Sequence, residues 1–248
     1  MNLAPEPGTR LGQVYAYRTV GSTMEIAHAL AAQGAPHGTL VWAATQEQGR
    51  GRLRRVWVSP DGGAYCSIIL RPDRPAAEIP QLALVTGLAV AETIQELTGL
   101  LPAIRWPNDV LLSGRKVAGI LVEGRDTGVV VGIGINVATN PALLPETAAS
   151  LAELAPQALT PDAPVRVTAR LYHRFQTWYD RWINDGFAAI RAALQPRMGH
   201  FGELVQLTAG NRRLEGQAVD VDEAGRLVVR LDSGVLQAFE MGEVTLLR

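Results

Sequence analysis

The chain has 248 residues, 47% of them hydrophobic and 19% charged, enough to bury one large domain, or a large and a small one, and too apolar for a disordered or fibrous chain. Its 23 basic and 24 acidic residues leave a formal net charge of -1, so no overall positive field draws the molecule to nucleic acid or an anionic membrane. A single cysteine, Cys66, excludes an intrachain disulfide and a cysteine-built zinc site.

The segment Met1 to Arg10 is polar and Pro-rich, without the basic start and apolar stretch of a secretory signal, and no apolar run approaches membrane-spanning length. The cytoplasm is the expected setting. Ser22-Thr23-Met24-Glu25 fits a capping box, followed by apolar residues at helical spacing and stopped at Gly34. Leu40 to Thr45 and Tyr65 to Leu70 read as strands, the second a partly buried one holding Cys66 as a structural rather than a nucleophilic thiol, with a long Gly/Arg-rich loop between them. Gln81 to Leu97 is helical. Ile104 to Trp106, Val110 to Leu112, Val117 to Glu123 and Val129 to Val137 are strands joined by tight turns, which implies antiparallel pairing.

From Asn140 to Pro164 five prolines mark a loop with a short helix inside, a lid or linker candidate. Leu171, Phe175, Trp178 and Trp182 form a core-facing helical stripe, and Phe187 to Leu194 is a further helix. Five short β segments then follow, Leu204 to Leu207, Leu214 to Val221, Leu227 to Leu231, Val235 to Phe239 and Val244 to Leu247. Their turns at Gly210-Asn211, Glu223-Ala224-Gly225 and Asp232-Ser233-Gly234 have the spacing of a small β-barrel. The expected division is residues 1–198 and 199–248.

Four segments carry chemistry. In Gln46-Glu47-Gln48-Gly49-Arg50-Gly51-Arg52-Leu53-Arg54-Arg55-Val56-Trp57 the glycines let backbone approach a ligand, and the arginines set cationic forks around it. Phosphate binding, a solvated loop and a nucleic-acid contact all fit that text. Arg105-Trp106-Pro107-Asn108-Asp109 presents Asn108 and Asp109 at a strand end, either as an ordinary Asx turn or as a carboxylate able to hold Mg²⁺ on a nucleotide. Of the 23 basic residues, 22 are arginine and one is lysine, Lys116. A returning strand brings it back near Asp109, and a tight pocket for one anionic oxygen can demand an ammonium where a guanidinium does not fit. Val131-Gly132-Ile133-Gly134-Ile135-Asn136 is an apolar strand whose glycines mark the close approach of a ligand or of a second backbone.

Taken in order, Ser-Thr at a helix start, Gln-x-x-Gly-Arg-Gly-Arg-x-x-Arg-x-Trp, Arg-Trp-Pro-Asn-Asp, Arg-Lys-Val-Ala-Gly-Ile-Leu-Val-Glu and Gly-Ile-Gly-Ile-Asn resemble the biotin protein ligases, from about Gly21 to the closing Met241-Gly242-Glu243-Val244. The resemblance implies an α+β fold, a mixed, largely antiparallel sheet with flanking helices of the class II aminoacyl-tRNA synthetase and biotin ligase type, plus a C-terminal SH3-like β-barrel. It implies an ATP-dependent ligase that makes biotinyl-5'-AMP and passes biotin to a lysine of a biotin carboxyl carrier protein. The substrates are biotin and ATP, with Mg²⁺.

Ser22, Thr23, Met24, Gln46, Arg50, Gly51, Arg52, Lys116, Gly119 and Leu121 would then bind biotin, Met24 by packing or backbone contact only. Arg52, Arg55, Trp57, Asn108, Lys116, Gly132, Gly134 and Asn136 would lie by the adenylate. Lys116, Arg50, Arg52 and Asp109 would carry the reaction, with Asp109 also a magnesium ligand and an aid to the incoming amine. The resemblance admits a homodimer and calls for neither nucleic acid nor membrane. Only about twenty residues precede Ser22, too few for the helix-turn-helix domain by which some relatives repress transcription. A lipoate-protein ligase and a non-catalytic biotin-binding module are the competing readings.

Overall fold

Seven strands form the larger sheet of the protein: β1 (Val14–Val20), β2 (Leu40–Gln46), β3 (Ala64–Leu70), β4 (Ala103–Arg105), β5 (Asp109–Leu112), β6 (Arg115–Arg125) and β7 (Gly128–Ile135). A computed structural model describes residues 12–209, 212–240 and 242–247. The strand order is β1-β2-β3-β7-β6-β5-β4. Every neighbouring pair is antiparallel except β1 with β2. The sheet is therefore mixed and largely antiparallel. The parallel strand β1 is an addition to the sequence reading, which found no strand there; only Val20 of its seven residues is buried, so it lacks an apolar run to mark it.

Tight turns do the pairing elsewhere. Ser113 and Gly114 both take positive φ, 51° and 77°, the two-residue geometry that matches the twist of a hairpin, and it folds β6 back along β5. In the middle, β3 is buried along its whole length, because helices cover both faces. Ile69 and Val130 face α1 (Thr23–Ala32), whereas Cys66, Ile68, Val131 and Ile133 face the main core. Cys66 is an inert part of that core, its thiol pushed up to about 12 by burial.

The main core also takes in α2 (Leu82–Thr98), with α3 (Leu151–Leu154), α4 (Ala163–Asp185) and α5 (Phe187–Leu194) following. The stretch 76–98 is as long and apolar as a membrane span, contrary to the sequence expectation, but 67% of its apolar window is buried in the fold. A helix covered on all sides has no polar face to show. It packs on α4, whose Leu171, Phe175, Trp178 and Trp182 are buried as the stripe requires.

The Pro-rich stretch is less of a linker than its composition suggests. Its outer part, 140–147, is largely exposed. Beyond it, the Ala149 amide donates to the Lys116 carbonyl and the Lys116 amide to Thr147, each at 3.0 Å. The segment is thus a strap laid along β6.

A second, five-stranded antiparallel sheet contains β8 (Leu204–Ala209), β9 (Arg212–Val221), β10 (Leu227–Arg230), β11 (Leu236–Phe239) and β12 (Glu243–Leu246), in the order β11-β10-β9-β8-β12. The expected Gly210-Asn211 turn, Met241 and the segment Met1 to Arg10 lie outside the described residues. The Trp106 indole donates to the Gly225 carbonyl at 3.0 Å, Arg191 pairs with Asp220, and Val205, Leu207 and Val229 join the main core. The small sheet is fixed against the large one.

Candidate active site

The β5–β6 hairpin forms one wall of a cleft of about 320 Å³. A register slip between Val110 and Leu111 turns Asp109 toward Lys116, and their charged groups lie 2.5 Å apart. Arg105 holds the second Asp109 oxygen at 2.8 Å. The ammonium of Lys116 also sits 5.3 Å from the centre of the Trp57 ring, a cation over an aromatic face. Because the strap pins the Lys116 main chain on both sides, this wall is rigid.

The floor is apolar and shaped by glycine. A Cβ on Gly132 would collide with the Met24 sulfur, one on Gly134 with the Trp57 indole, and one on Gly119 with Trp57 and the end of Lys116. Where the sequence reading expected a ligand or a second backbone against Gly132 and Gly134, the structure places the Met24 and Trp57 side chains. Met24 is buried, and its role is packing. Leu121 completes the slot.

At the closed end, the Gln46 carbonyl oxygen accepts from the Thr23 amide at 2.8 Å and the Thr23 hydroxyl at 3.0 Å, while its amide donates to Ser59 at 2.9 Å. Ser22 is the N-cap residue of α1, yet its side chain makes no cap bond, so the capping box is not formed. Its buried hydroxyl has no partner, a state that disfavours a structural reason for serine.

The Gly/Arg segment crosses the front of the cleft. Gly51 donates to Arg55 at 2.8 Å and Trp57 to Gly49 at 2.9 Å, closing the loop at its base. At its tip Leu53 and Arg54 take φ of 55° and 60°, a conformation that costs an L-residue energy. Side chains hold it there. Arg50 reaches Glu123 at 2.7 Å, Arg52 reaches Asn108 at 3.0 Å and the Gly242 carbonyl at 3.4 Å, and Arg55 reaches Glu243 at 2.5 Å. Burial lowers the Arg52 guanidinium below its ordinary value, opposed by the charges of Asp109 and Glu243; it remains a cation.

Of the residues singled out in the sequence, Thr23, Met24, Gln46, Arg50, Gly51, Arg52, Arg55, Trp57, Asn108, Asp109, Lys116, Gly119, Leu121, Gly132 and Gly134 all line this cleft. Ser22 and Asn136 do not. Asn136 is buried beyond the end of β7 and donates to the Ala149 carbonyl at 3.1 Å, its own carbonyl unpaired. Sequence reasoning missed Arg105, and also Gly242 to Thr245 of the second sheet, which close the cleft from the other side. Among the described residues no three His, Cys, Asp or Glu side chains are grouped to hold a metal. Both oxygens of Asp109 are engaged by cations, so Asp109 would reach a magnesium carried on a nucleotide only by giving up one of those pairs.

The apolar floor thus meets one ammonium, Lys116, and three guanidinium groups, Arg50, Arg52 and Arg55, at the front of the cleft. The chain belongs to the biotin/lipoate A/B protein ligase family, whose model matches residues 15–140, while the biotin protein ligase C terminal domain matches residues 200–247. It is 35% identical to the bifunctional ligase/repressor BirA of Bacillus subtilis over 92% of this chain and 73% of the relative. It is 34% identical to the biotin--[acetyl-CoA-carboxylase] ligase of Mycobacterium tuberculosis over 92% of this chain and 86% of the relative. The fold superposes on the biotin protein ligase of Aquifex aeolicus in complex with biotin and ATP with a TM-score of 0.83 at 31% identity, covering 95% of this chain and 99% of the other.

Proposed function

We infer that this protein is a biotin protein ligase, in which the biotin carboxylate attacks ATP's α-phosphate and displaces pyrophosphate to give biotinyl-adenylate, and an acceptor lysine then takes the biotinyl group and releases AMP. The observation that carries the reading is the Asp109–Lys116 pair, 2.5 Å apart, placed where the apolar slot meets the arginine loop.

The first step brings a carboxylate against a phosphate, and two anions repel. Lys116 stands where it can neutralise the carboxylate and the attacked phosphoryl oxygens together, and Arg52 adds charge from the loop; preorganised cations in a partly dry cleft stabilise the developing charge without reorganising. Asp109 fixes the direction of the ammonium. The urea-like ring of biotin needs polar partners in a closed end; Thr23 and Gln46 supply them from the cleft lining, and Ser22, next to Thr23 but outside that lining, has a buried hydroxyl left without a partner for the ring to engage. The mixed anhydride formed is prone to hydrolysis, and the loop across the front keeps water from it. The acceptor amine must arrive unprotonated, and Asp109, a carboxylate lining the cleft, is the group proposed to assist it. Magnesium would enter on the nucleotide and supply further positive charge to its phosphates.

The acceptor we propose is the biotin carrier of a biotin-dependent carboxylase, since relatives are named for acetyl-CoA carboxylase. The sole lysine here lies in the cleft, so the acceptor comes in trans. The formal net charge of -1 supports a reading without nucleic acid. The work belongs in the cytoplasm, in keeping with a lone buried thiol; a homodimer is tested by sedimentation.

Exchange of labelled pyrophosphate into ATP, with biotin, lipoate or no acid, isolates the first half-reaction. Exchange with biotin alone establishes the reading. Exchange with lipoate instead keeps the mechanism and changes the substrate, and none from folded protein leaves a binding module.

A further inference from the structure

Glu123, toward the far end of β6 from Lys116, directs its two oxygens apart. One accepts from Arg50 of the loop at 2.7 Å, and the other lies 3.0 Å from Nε2 of His28 on α1. Arg125 is more distant, at 3.9 Å. His28 is buried, and its Nδ1 has no partner. Burial lowers its pKa, against the pull of Glu123, so the ring is a neutral donor to the carboxylate. Three walls of the cleft meet at this one side chain: the helix that begins with Ser22 to Met24, the strand that carries Lys116, and the Gly/Arg loop.

We propose that Glu123 is a positioning residue that latches the loop over the biotin slot through Arg50, with His28 orienting its carboxylate. The loop's own hydrogen bonds tie residues 49 to 57 into one unit, and its left-handed tip at Leu53 and Arg54 is not a shape those residues keep unaided. The unit must therefore be held from outside. Arg52 and Arg55 hold its far side against Asn108 and the second sheet; on the near side Arg50 is the arm and Glu123 the anchor. A plain surface ion pair would not need its acid fixed from behind by a buried imidazole.

This latch rests on the ligase reading, and its test separates the two. In Glu123→Gln, with melting temperature checked, two rates are read: trypsin cleavage after Arg52, Arg54 and Arg55 in the ligand-free protein, and loss of preformed biotinyl-adenylate after rapid desalting. Both are expected to rise roughly fivefold, while pyrophosphate exchange at saturating biotin stays within about twofold. Arg50→Ala should raise both rates alike, and adding Glu123→Gln to it should add nothing. If Glu123→Gln misfolds, His28→Gln, which leaves the charge pair in place, should give a smaller rise in the same direction. Unchanged rates at equal melting temperature, or effects that add in full in the double variant, overturn the latch. A wild-type protein that forms no adenylate overturns the ligase reading, and the trypsin measurement still judges the latch.

Discussion

The two sides of the cleft are built by different means. The β5–β6 wall is held by main chain: a ladder on one side, the strap on the other, and Arg105 behind Asp109. The Gly/Arg loop is held by side chains that each cross to another element, with an exposed tip in which Leu53 is 71% exposed. Main-chain ladders open only with the sheet, whereas side-chain latches open one at a time. On the proposed ligase reading, recognition of fixed charge would therefore belong to the wall, and admission and retention to the loop.

The largest expected effect attacks the anchoring of the wall. His200 packs at the junction near Arg105, and burial pushes its imidazole down to about 4, with Arg105 adding to the shift. The folded pKa lies below the unfolded one near 6.5, so the unfolded chain takes a proton that the fold refuses. Stability is whole above about pH 6.5 and falls as the pH drops toward about 4, by roughly 3 kcal/mol. Denaturant unfolding across that range should show the loss, and His200→Leu should flatten it; parallel curves would sink the assignment. Next, Lys116→Ala should keep the melting temperature and weaken biotinyl-adenylate by about 1.5–3 kcal/mol, the worth of a hydrogen bond to a charge. Calorimetry with a stable adenylate analogue reads it, and unchanged affinity would move recognition away from the wall.

Ser22→Ala sharpens the closed end. With no cap bond to lose, the melting temperature should hold, while biotin affinity falls by about 1 kcal/mol; a destabilised protein with intact affinity would restore the cap. Smallest is Arg55→Ala, which removes a pair that is 66% exposed on the arginine side. It should change adenylate retention by about 0.2–1 kcal/mol, and a larger loss would mean that the loop hangs mainly from the second sheet.

Most strands and the barrel were legible because each is a short apolar run closed by glycine or Asx turns. The edge strand β1 was not, since a strand buried at one residue prints no pattern. Lys116 stood out because it is the sole lysine, and the hairpin turn placed it by Asp109. Ser22 is legible in part: its spacing to Glu25 matches a cap, and only the folded structure shows the hydroxyl left unpaired. Gly242 and Glu243 could not be found locally, because nothing near them in sequence announces a loop some 190 positions away. Asn136 sits in a recognisable motif, but its bond to Ala149 depends on a Pro-rich strap whose path composition does not fix.

The solitary lysine has a consequence for what happens when the closed loop fails. A mixed anhydride that escapes acylates amines, and this chain offers on its side chains guanidinium groups in their place, which are poor nucleophiles at neutral pH. The one side-chain amine is inside the cleft, ion-paired at 2.5 Å. A leaky variant such as Arg52→Gly should therefore tag bystander proteins while its own side chains stay unlabelled, and intact mass after turnover would show whether the enzyme is blind to its own product.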